Sequence, residues 1–136
     1  MNKHGNSVST HLMFVGAAGE AMALYQSIFD DFKIQEINKY EDSDGEMTGK
    51  IRIAKVKFAD HDLIIIDSQP VHDFTFTPSM SLFVDFADPA GLDHAFEILA
   101  SHGKVFMPLD NYGFSPRFGW VQDQFGVSWQ LNLMPG

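Results

Sequence analysis

The sequence predicts an α+β fold assembled from two tandem βαβββ modules, and three observations predict it. Periodic segments run strand-helix-strand-strand-strand, and then the same order runs again. LMFVGAAGEAMALY, beginning at Leu12, lines up with LFVDFADPAGLDHA, beginning at Leu82, at an offset of about 70. FADHDLIIID, ending at Asp67, lines up with VQDQFGVSWQ, ending at Gln130, at an offset of about 63.

The elements follow in order. Met1–Ser9 is a polar tail. Thr10–Val15 reads as a short strand that Gly16 ends. Ala17–Phe29 carries Ala17, Ala21, Leu24, Tyr25 and Ile28 on one face, the spacing of an amphipathic helix. Lys33–Tyr40 is a strand, Glu41–Gly49 an acidic turn, and Lys50–Phe58 a half-buried strand that alternates Ile51 and Ile53 with Lys50 and Arg52. Asp60, His61 and Asp62 turn the chain into a buried strand, Leu63–Asp67.

Ser68–Pro78 reads as a linker, so the modules span about 10–67 and 79–133 of a single domain. Met80–Phe86 opens the second module as a strand. Asp88-Pro89 starts a helix, Asp as N-cap and Pro at the first helical position. Leu92, Ala95, Phe96 and Leu99 form its inward face, and Gly103 is its stop. Strands at Lys104–Leu109, Phe114–Gln122 and Val127–Leu133 complete the repeat.

The most informative stretch is Tyr112–Gln130, an aromatic strand, an Asp-Gln-Phe-Gly turn at Asp123–Gly126 and a second strand. Past the turn, Val127, Trp129 and Leu131 point one way, and Ser128, Gln130 and Asn132 the other. One greasy face and one amide and hydroxyl face separate a core from a polar surface.

Composition narrows the classes. The chain of 136 residues is 45% hydrophobic with thirteen Phe, enough apolar side chain for a packed core. A formal net charge of −9 argues against nucleic acid and against anionic membrane surfaces. There is no Cys, so thiolate metal sites and disulfides are excluded. The polar opening MNKHGNSVS is unlike a secretory signal, and no apolar run approaches the roughly 20 residues of a membrane span. The expectation is a cytoplasmic protein.

Three stretches, MFVGAAGEAMALYQSIF, FTFTPSMSLFVDFADPAGLD and PRFGWVQDQFGVSWQLN, together resemble the vicinal oxygen chelate superfamily of glyoxalases, bleomycin-resistance proteins and extradiol dioxygenases. The nearer likeness is to its PhnB-like branch, labelled 3-demethylubiquinone-9 3-methyltransferase-like. The resemblance implies a curved mixed sheet around a cleft, a small-molecule ligand in that cleft, and a homodimer. In metal-dependent members four side chains line the cleft, and the matching positions fall near Thr10, Asp67, Ser81 and Gln130.

That set is a poor ligand field, since hydroxyls and amides are weak neutral donors for a transition ion. No cofactor is favoured. The alternative is a divalent ion held by His11, Asp67 and Gln130, which requires a bulge to bring His11 inward. Asp67, after three isoleucines, reads either as a general base or as a cap on the following loop. Gln130 reads as a ligand contact or an internally satisfied amide. Tyr112, Arg117 and Trp120 lie on or beside a loop over the cleft, with Arg117 either an anchor for an anionic substrate or one half of an ion pair. His4, His61, His94 and His102 read as solvent-facing, and His72 as an edge residue of the cleft.

Three functions compete: a small-molecule-binding protein with or without catalysis, a metal-dependent glyoxalase- or dioxygenase-type enzyme, and a ligand-sequestering resistance protein. Methyl transfer is disfavoured. VGAAGEA at Val15–Ala21 lacks the further glycine of a nucleotide-binding turn, and no parallel strand series follows it.

Overall fold

The computed structural model describes residues 5–136 and divides into two compact units, Met1–Asp73 and Phe74–Gly136. His4 and the start of the expected tail lie outside the described residues.

The first unit contains β1 (Thr10–Phe14), α1 (Ala18–Ile28), β2 (Phe32–Lys39), β3 (Ile51–Phe58) and β4 (His61–Asp67), with a short 3-10 segment at Asp42–Met47. Its sheet has the order β1-β4-β3-β2, with β1 and β4 parallel and the other pairs antiparallel. The helix buries Ala18, Ala21, Met22 and Tyr25. That stripe follows the i, i+3, i+4, i+7 rule from Ala18, so Met22 is inside while Leu24 and Ile28 fall at its half-buried edge. Ala17, expected on the inward face, is the N-cap residue. Phe58 packs its ring against Phe29 at 4.9 Å and Phe32 at 5.4 Å, closing one end of the core.

Two boundaries differ from the sequence reading. The β3–β4 turn is only Ala59-Asp60, with Ala59 at φ +52°, so His61 and Asp62 belong to β4 rather than to the turn. The acidic turn is wound into the 3-10 segment by reciprocal bonding of Glu41 and Asp44 side chains with each other's backbone N–H.

The second unit contains β5 (Ser81–Phe86), α2 (Pro89–Ala100), β6 (Lys104–Asp110), β7 (Phe118–Gln122) and β8 (Ser128–Leu133). Its order, β5-β8-β7-β6, repeats the first, again with a parallel pair, β5 and β8, beside antiparallel neighbours. Asp88 caps α2 by accepting from the Ala90 N–H at 3.2 Å, as its sequence predicts. Leu92, Ala95 and Leu99 are buried against the sheet, and Phe96 is half-buried.

Here too the structure corrects the reading. Gly103 does not supply the left-handed residue that ends the helix; His102 does, at φ +60°. Gly103 is required for a different reason, because a Cβ there would lie 2.1 Å from the Gln122 carbonyl oxygen of β7. The strand expected from Phe114 begins only at Phe118, because the Ser115 hydroxyl bonds both the carbonyl and the N–H of Arg117 and bends the segment before it. The repeat alignment is also one residue off in its second half. Leu12 stands beside Ile65 and Leu82 beside Trp129, so Asp67 corresponds to Leu131 and not to Gln130.

Candidate functional site

That one-residue correction decides which side chains can share a surface. In a strand, neighbouring residues point to opposite faces. On β8, Trp129 and Leu131 are fully buried on the helix-covered face with Val121. Gly119 lies on that face too, with no room for a Cβ beside Phe96 of α2. Ser128, Gln130 and Asn132 therefore occupy the open face. Register places Ser81, Phe83 and Asp85 of β5 and Phe118 and Trp120 of β7 beside them.

A hydrogen-bonded chain runs across that open face. Trp120 Nε1 donates to Ser128 Oγ at 2.9 Å. Ser128 Oγ lies 2.7 Å from Ser81 Oγ, and Gln130 Nε2 donates to Ser81 Oγ at 3.2 Å. An indole N–H can only donate, so Ser128 is an acceptor at that end, and either serine hydroxyl can donate across the contact between them. Farther along the same face, Asn132 Nδ2 donates to Asp85 Oδ1 at 2.9 Å. Ser128 is only 2% exposed, whereas Gln130 is half-exposed.

Aromatic rings flank the chain. Phe83, 56% exposed, stands next to Gln130 on the neighbouring strand and lies 6.2 Å from the Phe118 ring. Phe118 is in turn met edge-on by Tyr112 at 6.1 Å and Phe114 at 5.0 Å. Phe106 packs 5.0 Å from Trp120 on the other side. Rings around a few oriented polar groups are the usual composition of a small-molecule site.

Of the residues singled out from sequence, Ser81, Gln130 and Trp120 meet in this chain. Tyr112 borders it through its ring, while its hydroxyl donates to the Pro108 carbonyl at 2.6 Å. Arg117 is held elsewhere: its Nε lies 2.6 Å from Asp93 Oδ1 of α2, the ion-pair alternative for this residue. Ser128, Phe83 and Asp85 complete the face. Ser128 was on the polar side of the alternation from the start. SLFVDF carries the β5 pair, since its period-2 pattern puts Ser81, Phe83 and Asp85 on one side.

The first unit treats its candidates differently. Asp67 is 1% exposed, and both its oxygens accept backbone N–H bonds: Oδ1 from Gly16 at 2.9 Å and Ala18 at 3.0 Å, Oδ2 from Ile51 at 2.9 Å. It thus caps α1, which has no side-chain cap of its own, and ties the start of β3 to the turn after β1. The loop that it caps precedes it in the chain rather than following it. Thr10, on the face of Leu12 and Phe14, hydrogen bonds His61 Nε2 at 2.7 Å. His11 pairs with Ile64 on the opposite face from Asp67, and the β1–β4 register is unbroken, with no bulge to turn it. Among the described residues no three His, Asp or Glu side chains converge as a metal-binding group.

A further buried carboxylate escaped the sequence reading, which took Asp123 for a turn residue. Asp123 Oδ1 accepts from the N–H of Phe125 at 2.8 Å and of Val127 at 3.1 Å, and Oδ2 from Trp129 Nε1 at 2.9 Å. An Asp two residues before a Phe-Gly turn and six before a buried Trp was the available signal.

With this geometry in place, similarity to known proteins identifies the family. The profile described as 3-demethylubiquinone-9 3-methyltransferase matches residues 6–132. The chain belongs to that PhnB-like family. It is 26% identical to protein YjdN of Escherichia coli (strain K12), over 93% of this chain and 95% of the relative. The structure of a putative 3-demethylubiquinone-9 3-methyltransferase, PhnB protein, from Bacillus cereus is 41% identical, with a TM-score of 0.89 over 95% of this chain and all of that one. The fold extends to FosX of Listeria monocytogenes, a fosfomycin resistance protein solved with Mn(II) and 1S,2S-dihydroxypropylphosphonic acid. At 12% identity and a TM-score of 0.64, over 94% of this chain and 91% of that one, this likeness concerns architecture alone. The fold is that of the vicinal oxygen chelate superfamily.

The family's name implies a methyl-donor cofactor, and the one glycine-containing strand-to-helix turn does not fit it. The Gly16 and Ala18 N–H groups that would face a bound anion already donate to Asp67. Both sheets also lack the series of parallel strands on which nucleotide-type cofactors sit.

Proposed function

We propose that the open face of the second sheet binds a small organic molecule, with Ser81, Ser128, Gln130 and Trp120 as its polar floor and Phe83 and Tyr112 as its apolar wall, backed by the buried Phe118. The observation that carries this reading is the chain linking Trp120, Ser128, Ser81 and Gln130 across β7, β8 and β5. Three strands contribute oriented polar side chains to one face, next to a Phe that stays half exposed to solvent. A packed core has no use for that arrangement, and a ligand does.

In this reading Asp67 is a scaffold residue, its three N–H bonds holding a turn, rather than a general base. Arg117 belongs to the α2 ion pair rather than to substrate. The metal-dependent alternative draws only on the FosX complex named above, and the oxygen donors of the polar floor, the Ser81 and Ser128 hydroxyls and the Gln130 carboxamide, suit a transition ion poorly. A homodimer is part of the same proposal, as the resemblance implies. Sedimentation that returns a monomer at the concentrations used for binding overturns that part.

The test is an amide NMR titration of the whole chain with indole and 2-naphthol. Perturbed resonances are expected to cluster on β5, β7 and β8, and the response is expected to fall at least about 10-fold in Phe83→Ala and Gln130→Ala. Binding that survives both substitutions, or that perturbs only the first unit, overturns the site.

A further inference from the structure

The direction of the hydrogen-bond chain carries information about the ligand, and the inference rests on the site proposed above. The Trp120 indole N–H has no acceptor lone pair, so the chain has a fixed polarity at that end. Ser128 Oγ, almost fully buried, accepts from it and shares a 2.7 Å hydrogen bond with Ser81 Oγ in which either hydroxyl can donate. Ser81 Oγ accepts from Gln130 Nε2 at 3.2 Å and can give its own proton to Ser128 Oγ at 2.7 Å or to the Pro78 carbonyl at 3.5 Å. Whichever serine donates to the other, Ser81 accepts from Gln130, so the Gln130 carboxamide is anchored by its nitrogen.

Its oxygen is consequently the end left over. Among the described residues Gln130 Oε1 has no partner, and the side chain is partly buried on the open face beside Phe83. The nearest charged group on that face, Asp85, has only Oδ1 engaged, by Asn132, and so adds a second acceptor and no donor. We infer that the site takes an aromatic ligand that presents a hydrogen-bond donor, a phenolic hydroxyl or an aryl N–H, to Gln130 Oε1 while its ring lies against the exposed Phe83. Ligands that carry only acceptors at that position are discriminated against, because they leave the carboxamide oxygen desolvated and unpaired.

2-Naphthol and 2-methoxynaphthalene separate the possibilities, since they share a ring system and differ in one donor. By amide NMR titration of the whole chain, 2-naphthol is expected to bind about 3- to 10-fold more tightly than its methyl ether. Gln130→Met removes the acceptor at nearly constant volume. It is expected to abolish that preference, so that the two compounds bind within about 2-fold of each other. Equal binding of the two compounds on the β5, β7 and β8 resonances overturns the inference and leaves the site standing. Tighter binding of the ether shows the carboxamide turned over, with its N–H facing the ligand, and overturns it as well. Failure of both compounds to perturb that face removes the proposed site, and this inference with it.

Discussion

The two units share a strand order, a parallel pair and a helix packed on one face, yet their open faces differ in kind. On the first, His11, Met13, Ile64 and Ile66 lie beside the exposed pairs Lys55–Glu36, at 3.5 Å, and Lys57–Asp62, at 3.3 Å. On the second, hydroxyl, amide and indole groups bond to one another between aromatic rings. The helix-covered faces differ in one position. Where the first unit buries the Asp67 carboxylate, the corresponding residue of the second is Leu131. The second has its own buried carboxylate, Asp123, at the β7–β8 turn instead. Repeated topology thus fixes where side chains point and leaves open what they are. Each unit locks one connection with a carboxylate, at different connections, and only the second carries an organised polar surface.

The largest effect expected from this comparison is the loss of either carboxylate. Asp67→Ala leaves three backbone N–H groups without an acceptor in a buried site, and Asp123→Ala leaves two and the Trp129 indole N–H. A buried donor left unsatisfied costs about 1–3 kcal/mol, so each substitution is expected to destabilise by on the order of 3 kcal/mol or more in urea unfolding. Asp67→Asn keeps one acceptor oxygen but sets an NH2 against a donor, and is expected to fall between wild type and Ala. If Asp67→Ala instead leaves the midpoint unchanged and removes binding of 2-naphthol, Asp67 is a site residue after all. The contrast between scaffold carboxylates and a neutral site then collapses.

Much of this was legible in the sequence, and what was not has a physical cause. The βαβββ order, the Asp88 cap and the two faces of Ser128–Leu133 follow from periodicity and local chemistry. Asp67 was visible as an unusual residue, but its partners lie 16 to 51 positions earlier, at Ile51, Ala18 and Gly16, and no local pattern reports a bond across that distance. The equation of Asp67 with Gln130 failed because an ungapped alignment carries one offset across two turns of different length, residues 59–60 between β3 and β4 and residues 123–127 between β7 and β8, and the offset of 63 leaves the last strands one residue out of register. In a strand that single residue exchanges the two faces. Arg117 stood near the aromatic residues in sequence, while the acid that claims it, Asp93, sits on a helix more than twenty residues away.

A smaller effect is expected inside the polar chain. Ser128→Ala removes the acceptor of Trp120 Nε1 and one hydrogen-bond partner of Ser81, at a position that in the first unit is the aliphatic Ile64. Loss of this part-buried link is expected to cost about 1–2 kcal/mol, with a change in Trp120 fluorescence as its indole finds water. A substitution that stabilises the fold would make the chain a liability retained for binding, which sharpens the contrast between the faces. One with no effect on either stability or fluorescence would mean that the chain does not order the indole.

The smallest effect belongs to the charged pairs of the first unit. Lys57 and Asp62 face each other across β3 and β4 with side chains 42% and 47% exposed, where water screens the attraction and the long lysine gives up rotamer freedom to hold it. Lys57→Ala is expected to change unfolding free energy by no more than about 0.5 kcal/mol, the range measured for such surface pairs. It is also expected to leave the 2-naphthol titration as it is in wild type. The second readout is the sharper one. A stability change of this size is near the limit of urea unfolding, whereas a shift in ligand affinity would show that the charged face of the first unit takes part in binding. The division of labour between an unspecialised and a specialised open face stands only if that affinity does not move.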